Sequence, residues 1–204
     1  MKNTIKYLIL LIIYLVCGVN LQAQNYTFRN VVMSDGLSGL LVNAIYKDSE
    51  GFVWLGTDNC LDRFDGVKVR HYEFRGVDSG RKKRVNCITE TADNQLWVGN
   101  GIGLWRLNRA NGQLERIVPE KIDFAVNTLL PDGDILYIGT EKGLFIQKDG
   151  QLLQVLTDRN MLAACNRIMD LCLNEDKSTL WLATVQGLFS YSLTDGKIDS
   201  WHFK

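Results

Sequence analysis

Apolar and polar positions alternate along most of the chain in short runs, and these runs return at a regular interval. An aromatic residue flanked by aliphatic ones, with Gly or Ala two positions later, recurs about every 40–45 residues. The four copies lie at 52–57, 95–100, 135–140 and 179–184. In each copy both faces of a period-two pattern are apolar, which is typical of a strand buried on both sides and not of an amphipathic helix.

Further strand and turn signals flank each copy. An apolar segment containing Asn precedes it, at 42–45, 85–88, 126–129 and, as a weaker match, 165–168. A later strand ends in Asp-Gly or Asn-Gly, at 65–66, 111–112, 149–150 and 195–196. These dipeptides are the strongest short-range hairpin signal, because a type I′ turn needs positive φ at both central residues. A fourth apolar strand then closes each unit, at 67–74, 113–118, 151–156 and 197–203.

Four short antiparallel strands in about 40–45 residues correspond to one blade of a propeller. We therefore predict an all-β fold, a β-propeller of about four four-stranded blades at 40–75, 84–118, 125–156 and 165–203. The residues predicted to define the repeat are Trp54, Gly56, Trp97, Gly99, Tyr137, Gly139 and Trp181. The glycines would let neighbouring sheets come close, and the aromatic side chains are assigned to packing between blades.

The strand count predicts an open or incomplete ring. Residues 25–31 resemble a closing fourth strand, which gives five such strands for only four sets of the other three. In a complete propeller this N-terminal strand would finish the last blade, but here the fourth blade has a closing strand of its own. We expect an open arc that is the N-terminal piece of a larger protein, with apolar end faces for the remaining blades or a homodimer. A self-contained four-bladed ring is the alternative.

The first 23 residues have the pattern of an export signal. Lys2 and Lys6 precede an apolar run at 7–17, and a small-residue cleavage pattern ends at Ala23. The run is shorter than the about 20 apolar residues expected of a spanning helix. We predict a signal peptide at 1–23 and a periplasmic domain at 24–204. A lipoprotein attached at Cys17 and an uncleaved signal anchor are the alternatives.

Charge narrows the choice of partners. The 23 Lys and Arg balance the 23 Asp and Glu, which argues against a nucleic-acid partner. One basic run lies between the first and second blades and consists of Arg81, Lys82, Lys83 and Arg84. It is a weak candidate site for an anionic sugar or a carboxylate, since a charge run in an exposed loop is ordinarily a solvated surface.

Motifs of catalysis and metal binding are missing from the sequence. It contains no His-Glu-x-x-His, no Gly-x-Ser-x-Gly and no Gly-x-x-x-x-Gly-Lys. His71 and His202 fall on outer strands, where the sequence shows no nearby cluster of ligands. We therefore predict no catalytic residue, no metal and no cofactor.

The cysteines of the predicted mature chain are Cys60, Cys87, Cys165 and Cys172. Their spacings fit neither a zinc motif nor a redox motif. Buried free thiols in core positions are the favoured interpretation, with a Cys60–Cys87 bridge left open.

The first repeat resembles the two-component regulator propeller repeat. The segments that carry the resemblance are 35–38, 42–45, 51–57 and 63–66, together with Asp48 and Leu61. The similarity extends over essentially the whole mature chain and is weakest in the fourth repeat. Departures from the family pattern are Cys60 in place of Gly, Tyr137 in place of Trp, and Ala183 in place of Gly.

The resemblance implies a receptor. Members of that family typically carry two seven-bladed propellers, a small β-sandwich, a transmembrane helix, a histidine kinase, receiver domains and a DNA-binding output. They sense oligosaccharides in polysaccharide-degrading bacteria. We expect this chain to be a ligand-sensing propeller fragment without a kinase module, and not an enzyme. Its parent, anchored in the inner membrane, would control polysaccharide-utilisation genes. The resemblance transfers no binding residue.

Two other function classes stay open at this point. One is a secreted propeller enzyme, a lyase or glycosidase, which a cluster of His, Arg, Tyr and carboxylates at one mouth of the propeller would favour. The other is a protein-interaction scaffold.

Overall fold

The computed structural model describes residues 4–7, 28, 30–76, 83–117, 122–155 and 167–201. The chain divides into two compact units, Met1–Val31 and Val32–Lys204. In the first unit residues 4–7 are helical, while most of the predicted signal peptide and N-terminal strand lies outside the described residues. No helix in the described part of the chain has the length and apolar character needed to cross a membrane.

The second unit begins with a short 3-10 helix at Met33–Asp35 and continues as sixteen described strands. They form four antiparallel sheets, each built from four strands that are consecutive in the chain. The first sheet contains β1 (Val42–Lys47), β2 (Val53–Thr57), β3 (Leu61–Phe64) and β4 (Val69–Tyr72). The second contains β5 (Val85–Glu90), β6 (Leu96–Asn100), β7 (Gly103–Asn108) and β8 (Gln113–Ile117). The third contains β9 (Val126–Asp132), β10 (Ile135–Thr140), β11 (Gly143–Lys148) and β12 (Gln151–Gln154). The fourth contains β13 (Ile168–Leu173), β14 (Thr179–Thr184), β15 (Gly187–Ser192) and β16 (Ile198–Trp201).

This arrangement confirms the predicted all-β fold of four-stranded propeller blades. In the described part of the second unit, β1 contacts β5, β5 contacts β9 and β9 contacts β13. No contact of similar extent joins β13 back to β1 among these residues. The four sheets are therefore an open series and not a closed ring.

A bulge at the start of the first strand is common to all four sheets. The register shifts at Asn43 in β1, at Asn86 in β5 and at Asn127 in β9. In β13 the equivalent residue is Met169, because Ile168 pairs with Thr184 in the way that Val126 pairs with Thr140.

The start assigned to the fourth repeat was therefore wrong. The sequence match at 165–168 placed Asn166 on the strand, whereas the strand begins at Ile168. The pairing of β13 with β14 sets this register. The segment at 165–168 shares only Asn166 and Ile168 with the pattern at 42–45, and this partial match led to the wrong assignment.

Successive sheets approach one another at the glycine that follows each repeat aromatic. A Cβ atom added to Gly56 would lie 2.5 Å from Val85 Cγ1, and one on Gly99 would lie 2.6 Å from Val126 Cγ1. A Cβ on Gly139 would lie 2.7 Å from Ile168 Cγ2. Each glycine thus makes room for the residue that begins the first strand of the next sheet. We call the first strand of each sheet its inner strand.

Side-chain hydrogen bonds join the inner strands at the same level. Asn86 Nδ2 donates to the carbonyl oxygen of Val126 over 2.8 Å, and Asn127 Nδ2 donates to that of Ile168 over 2.8 Å. The bulge points these two carboxamides at the neighbouring sheet, which accounts for Asn at this position in the second and third sheets.

Candidate functional site

The bulged residues line a cavity of about 550 Å³ at the point where the inner strands begin. Its lining consists of Asn43, Arg84, Asn86, Gly101, Ala125, Asn127, Glu141, Arg167 and Met169. Each lining residue stands at one of three positions that recur from sheet to sheet: the bulge, the residue just before the inner strand, and the turn between the second and third strands. The repeat therefore brings one polar mouth together from all four sheets, and we call it the mouth cavity.

Backbone hydrogen bonds fix these positions in the same way in three sheets. The amide of Gly101 donates to the carbonyl of Arg84 over 3.2 Å, and the amide of Glu141 donates to that of Ala125 over 3.1 Å. In the fourth sheet the amide of Val185 donates to the carbonyl of Arg167 over 3.3 Å. Because the turn is tied to the start of the inner strand, side chains at both places face the same space.

The mouth cavity offers two guanidinium groups, one carboxylate and several carboxamides. Arg84 and Arg167 are both exposed, and Arg84 Nε donates to Asn86 Oδ1 over 3.3 Å. Glu141 Oε1 accepts a hydrogen bond from the amide of Ala125 over 3.3 Å. Such a set can bind hydroxyl and carboxylate groups of a ligand. No His, Tyr, Ser or Cys is among the described residues that line it.

The basic run predicted from the sequence is divided by the structure. Arg84 lines the mouth cavity, and Lys83 lines a second cavity. Arg81 and Lys82 lie outside the described residues. Arg167 and Glu141 were not predicted from the sequence. Arg167 stands just before the first strand of its sheet, as Arg84 does, and this equivalent position would have indicated it.

The second cavity, of about 330 Å³, lies at the outer half of the first sheet. It is lined by Ser38, Asn59, Cys60, His71, Glu73, Phe74 and Lys83. Beside it, potential ligand atoms of Cys60, Asp62 and His71 all lie within 4.8 Å of one another. The expectation that His71 has no ligand-type neighbours was wrong, since β3 and β4 pair Asp62 directly with His71.

Asp62 is the centre of this group. Its Oδ1 is 2.7 Å from His71 Nδ1 and accepts a hydrogen bond from Cys60 Sγ over 3.2 Å. Its Oδ2 accepts bonds from the amide and the hydroxyl of Ser38, both over 2.8 Å. Burial raises the pKa of the Cys60 thiol to about 12; the Ser38 hydrogen bond opposes this shift, and the Asp62 charge adds to it.

The cysteines differ from one another more than the sequence suggested. Cys60, Cys87 and Cys172 are free thiols, so no bridge joins Cys60 to Cys87. Cys60 is buried and Cys87 is partly buried, whereas Cys172 is exposed, contrary to the prediction of a core position. Cys165 lies outside the described residues.

Comparison with known proteins agrees with this fold. Residues 36–59 match the model of the family described as two component regulator propeller. A protein named histidine kinase P4, from Formosa agariphila, is 32% identical over 79 residues, which is 39% of this chain and 6% of that protein. The predicted two-component regulator propeller repeat is thereby confirmed.

Solved structures with the same fold include two extracellular domains from B. thetaiotaomicron proteins named as hybrid two component systems. One aligns over 85% of this chain and 26% of its own with a TM-score of 0.72 and 21% identity. The other aligns over 80% and 22% with a TM-score of 0.65 and 25% identity. The chain thus spans about a quarter of the length of these domains.

A third similar structure is an inactive variant of virginiamycin B lyase from Staphylococcus aureus. It aligns over 82% of this chain and 57% of its own, with a TM-score of 0.65 and 14% identity. At that identity the similarity concerns the propeller fold alone. The chain is therefore a propeller segment that carries a two component regulator repeat and is similar to extracellular domains of hybrid two-component systems.

Proposed function

We propose that this chain is the exported, ligand-sensing propeller segment of a hybrid two-component sensor. The observation that carries the proposal is the mouth cavity, where the equivalent positions of a two component regulator propeller bring two arginines and three asparagines together. The matches to extracellular domains support it, as does the export signal predicted at 1–23. The kinase and output modules belong to the parent protein.

The ligand that best fits the mouth cavity is an acidic oligosaccharide. The volume of the mouth cavity, about 550 Å³, falls in the usual range for small-molecule sites. Arg84 and Arg167 can each bind a carboxylate through two parallel hydrogen bonds, and the carboxamides of Asn43, Asn86 and Asn127 can serve sugar hydroxyls. We further propose that the parent protein controls polysaccharide-utilisation genes in response to a ligand of this class.

A binding role is favoured over an enzymatic one by the composition of the mouth cavity. General acid–base catalysis needs a titratable side chain within hydrogen-bond reach of the substrate, and most glycosidases use a pair of carboxylates. Among the described lining residues Glu141 is the single carboxylate, and no imidazole or phenol accompanies it.

Calorimetric titration of the full-length chain with neutral and uronate-containing oligosaccharides tests the proposal. We expect saturable binding of acidic members, weakened about 10-fold or more by Arg84→Gln and by Arg167→Gln, because a charge-assisted hydrogen bond contributes about 1.5–3 kcal/mol. Arg75→Gln is the matched control, since Arg75 is exposed and does not line the cavity.

Two outcomes would contradict the proposal. Equal binding of neutral and acidic sugars, unaffected by either arginine variant, would remove the mouth cavity as the site. Release of shortened sugar products during the titration would favour the lyase or glycosidase alternative.

A further inference from the structure

The first sheet departs from the other three at two positions, one on each side of a leucine that all four sheets have at the start of the third strand. In every sheet the small residue that follows the repeat aromatic pairs with a leucine of the third strand, so these leucines are equivalent. The pairs are Gly56 with Leu61, Gly99 with Leu104, Gly139 with Leu144 and Ala183 with Leu188. The residue before the leucine is Cys60 in the first sheet and Gly103, Gly143 and Gly187 in the others. The residue after it is Asp62 in the first sheet and Trp105, Phe145 and Phe189 in the others.

His71 completes this departure from the opposite strand. It pairs with Asp62 across β3 and β4, where the other sheets place Arg116, Gln154 and Ser200. Thiol, carboxylate and imidazole therefore replace Gly, an aromatic ring and a polar side chain at three adjacent places of one repeat.

The burial of Asp62 needs an explanation, because an ionised carboxylate is costly to remove from water unless it is compensated. The Asp62 side chain has 0% exposure, and its one ion pair among the described residues is with His71, which is 47% exposed. The aromatic residues that replace Asp62 in the other sheets show that the fold itself does not require a charge here.

Residues outside the group hold the backbone of Cys60 and the carboxylate of Asp62 in place. The Cys60 amide donates to Thr57 Oγ1 over 3.1 Å, and Thr57 Oγ1 donates to the Cys60 carbonyl over 2.9 Å, which closes the turn before β3. Ser38 binds Asp62 Oδ2 twice and leaves Oδ1 directed at Cys60 and His71. Outer hydrogen bonds that orient a ligating carboxylate are typical of metal sites.

We propose that Cys60, Asp62 and His71 form a zinc site. Thiolate, imidazole and carboxylate are the three side-chain donors that Zn²⁺ takes, at about 2.0–2.3 Å. Neighbouring donors around such an ion are about 3.3–3.7 Å apart in tetrahedral geometry, so the hydrogen-bonded contacts of 2.7 and 3.2 Å need only a small separation. On binding, the Cys60 thiol releases its proton to solvent, and His71 coordinates through Nδ1 with its proton on Nε2.

Three protein ligands leave one coordination position open, as in zinc sites that bind water or a substrate group. The adjoining cavity of about 330 Å³, lined by Asn59, Glu73 and Lys83 among others, gives access to that position. This site is separate from the mouth cavity, because the two share no lining residue.

Cobalt substitution tests the zinc site. The full-length chain, purified in reductant and stripped of metal, is titrated with Co²⁺ and then with Zn²⁺. We expect thiolate-to-cobalt charge transfer and the d–d absorption of a tetrahedral site, saturating at one equivalent per chain and abolished by Zn²⁺. Cys60→Ser should weaken binding by about 100-fold or more, and His71→Gln by about 10-fold or more.

Cys172→Ser is the matched control, because Cys172 is an exposed thiol on a different sheet. His71→Gln keeps the folded state testable, since this partly exposed side chain can still donate to Asp62. The proposal is overturned if the wild-type chain gives no tetrahedral cobalt spectrum. It is also overturned if the spectrum survives Cys60→Ser or disappears in Cys172→Ser.

Discussion

The middle sheets and the end sheets contain the same repeat, yet equivalent residues lie in different surroundings. Val85 and Val126 are 0% exposed because a preceding sheet covers them, whereas Val42 of the first sheet is 46% exposed. On the opposite face, Trp54 and Trp97 are buried, but Trp181 of the fourth sheet is only half-buried. A single repeat therefore has no complete core, and its apolar residues are buried only when another sheet lies against them.

This comparison locates the stability of the fold in the three interfaces between successive sheets. Each interface consists of a small residue on one sheet, a β-branched residue on the next, and a layer of repeat aromatics. In such arrays the free energy of unfolding is close to a sum of terms from each repeat and each interface. Matched substitutions at interior and end positions should then differ widely in effect.

The largest difference is expected between Gly139→Val and Ala183→Val. A side chain on Gly139 would meet Thr128 Cγ2 at 2.6 Å and Ile168 Cγ2 at 2.7 Å, so we expect a loss of about 3 kcal/mol in the free energy of unfolding. Ala183, at the equivalent position of the fourth sheet, should tolerate Val within about 0.5 kcal/mol. Urea unfolding followed by tryptophan fluorescence measures both. Equal losses in the two variants would mean that Ala183 also faces a packed neighbour.

A smaller difference is expected between Val126→Ala and Val42→Ala. Truncating the fully buried Val126 leaves a cavity between the second and third sheets, at a cost of about 2 kcal/mol. Val42 is 46% exposed, and its truncation should change the free energy of unfolding by no more than about 0.5 kcal/mol. The same unfolding measurement applies, and a loss at Val42 as large as that at Val126 would show that β1 is covered in solution.

The mildest test compares two thiols without changing the sequence. Burial raises the pKa of Cys87 to about 12, opposed by a hydrogen bond from the Gly99 backbone, while Cys172 is exposed. At pH 8 iodoacetamide should label Cys172 in the folded protein and Cys87 only after unfolding, as read by peptide mass spectrometry.

The sign of the pH effect at Cys87 follows from its raised pKa. The thiol stays protonated in the folded chain, whereas the unfolded thiol ionises near pH 8.5. Its contribution to stability is complete below that pH and is lost as the pH rises towards 12. Labelling of Cys87 at the same rate as Cys172 would contradict its burial between the second and third sheets.

Periodicity was sufficient to predict the sheets, because each strand is defined locally by its aromatic, its glycine and its turn. The second sheet shows this well: Trp97, Gly99 and the turn at 111–112 correctly indicated β6, β7 and β8. The start of the fourth repeat was misplaced because Met169 replaces the marker Asn, so that pairing with β14 alone determines the register.

The candidate sites were harder to predict, because their residues meet across strands and sheets. Arg84 was found through its charged neighbours, whereas Arg167 and Glu141 stand singly in the sequence and meet it only in the mouth cavity. The group of Cys60, Asp62 and His71 was missed for a similar reason. The turn between β3 and β4 sets the spacing of Asp62 and His71, and that spacing matches no known metal-binding motif.

The carboxamides of Asn86 and Asn127 make the fold sensitive to slow chemical ageing. Deamidation of either one turns its nitrogen donor into a carboxylate oxygen, which then faces the carbonyl of Val126 or Ile168 where a hydrogen bond of 2.8 Å had been. Attraction between two inner strands becomes repulsion at that point. We therefore expect deamidation at either residue to loosen the contact between neighbouring sheets beside the mouth cavity.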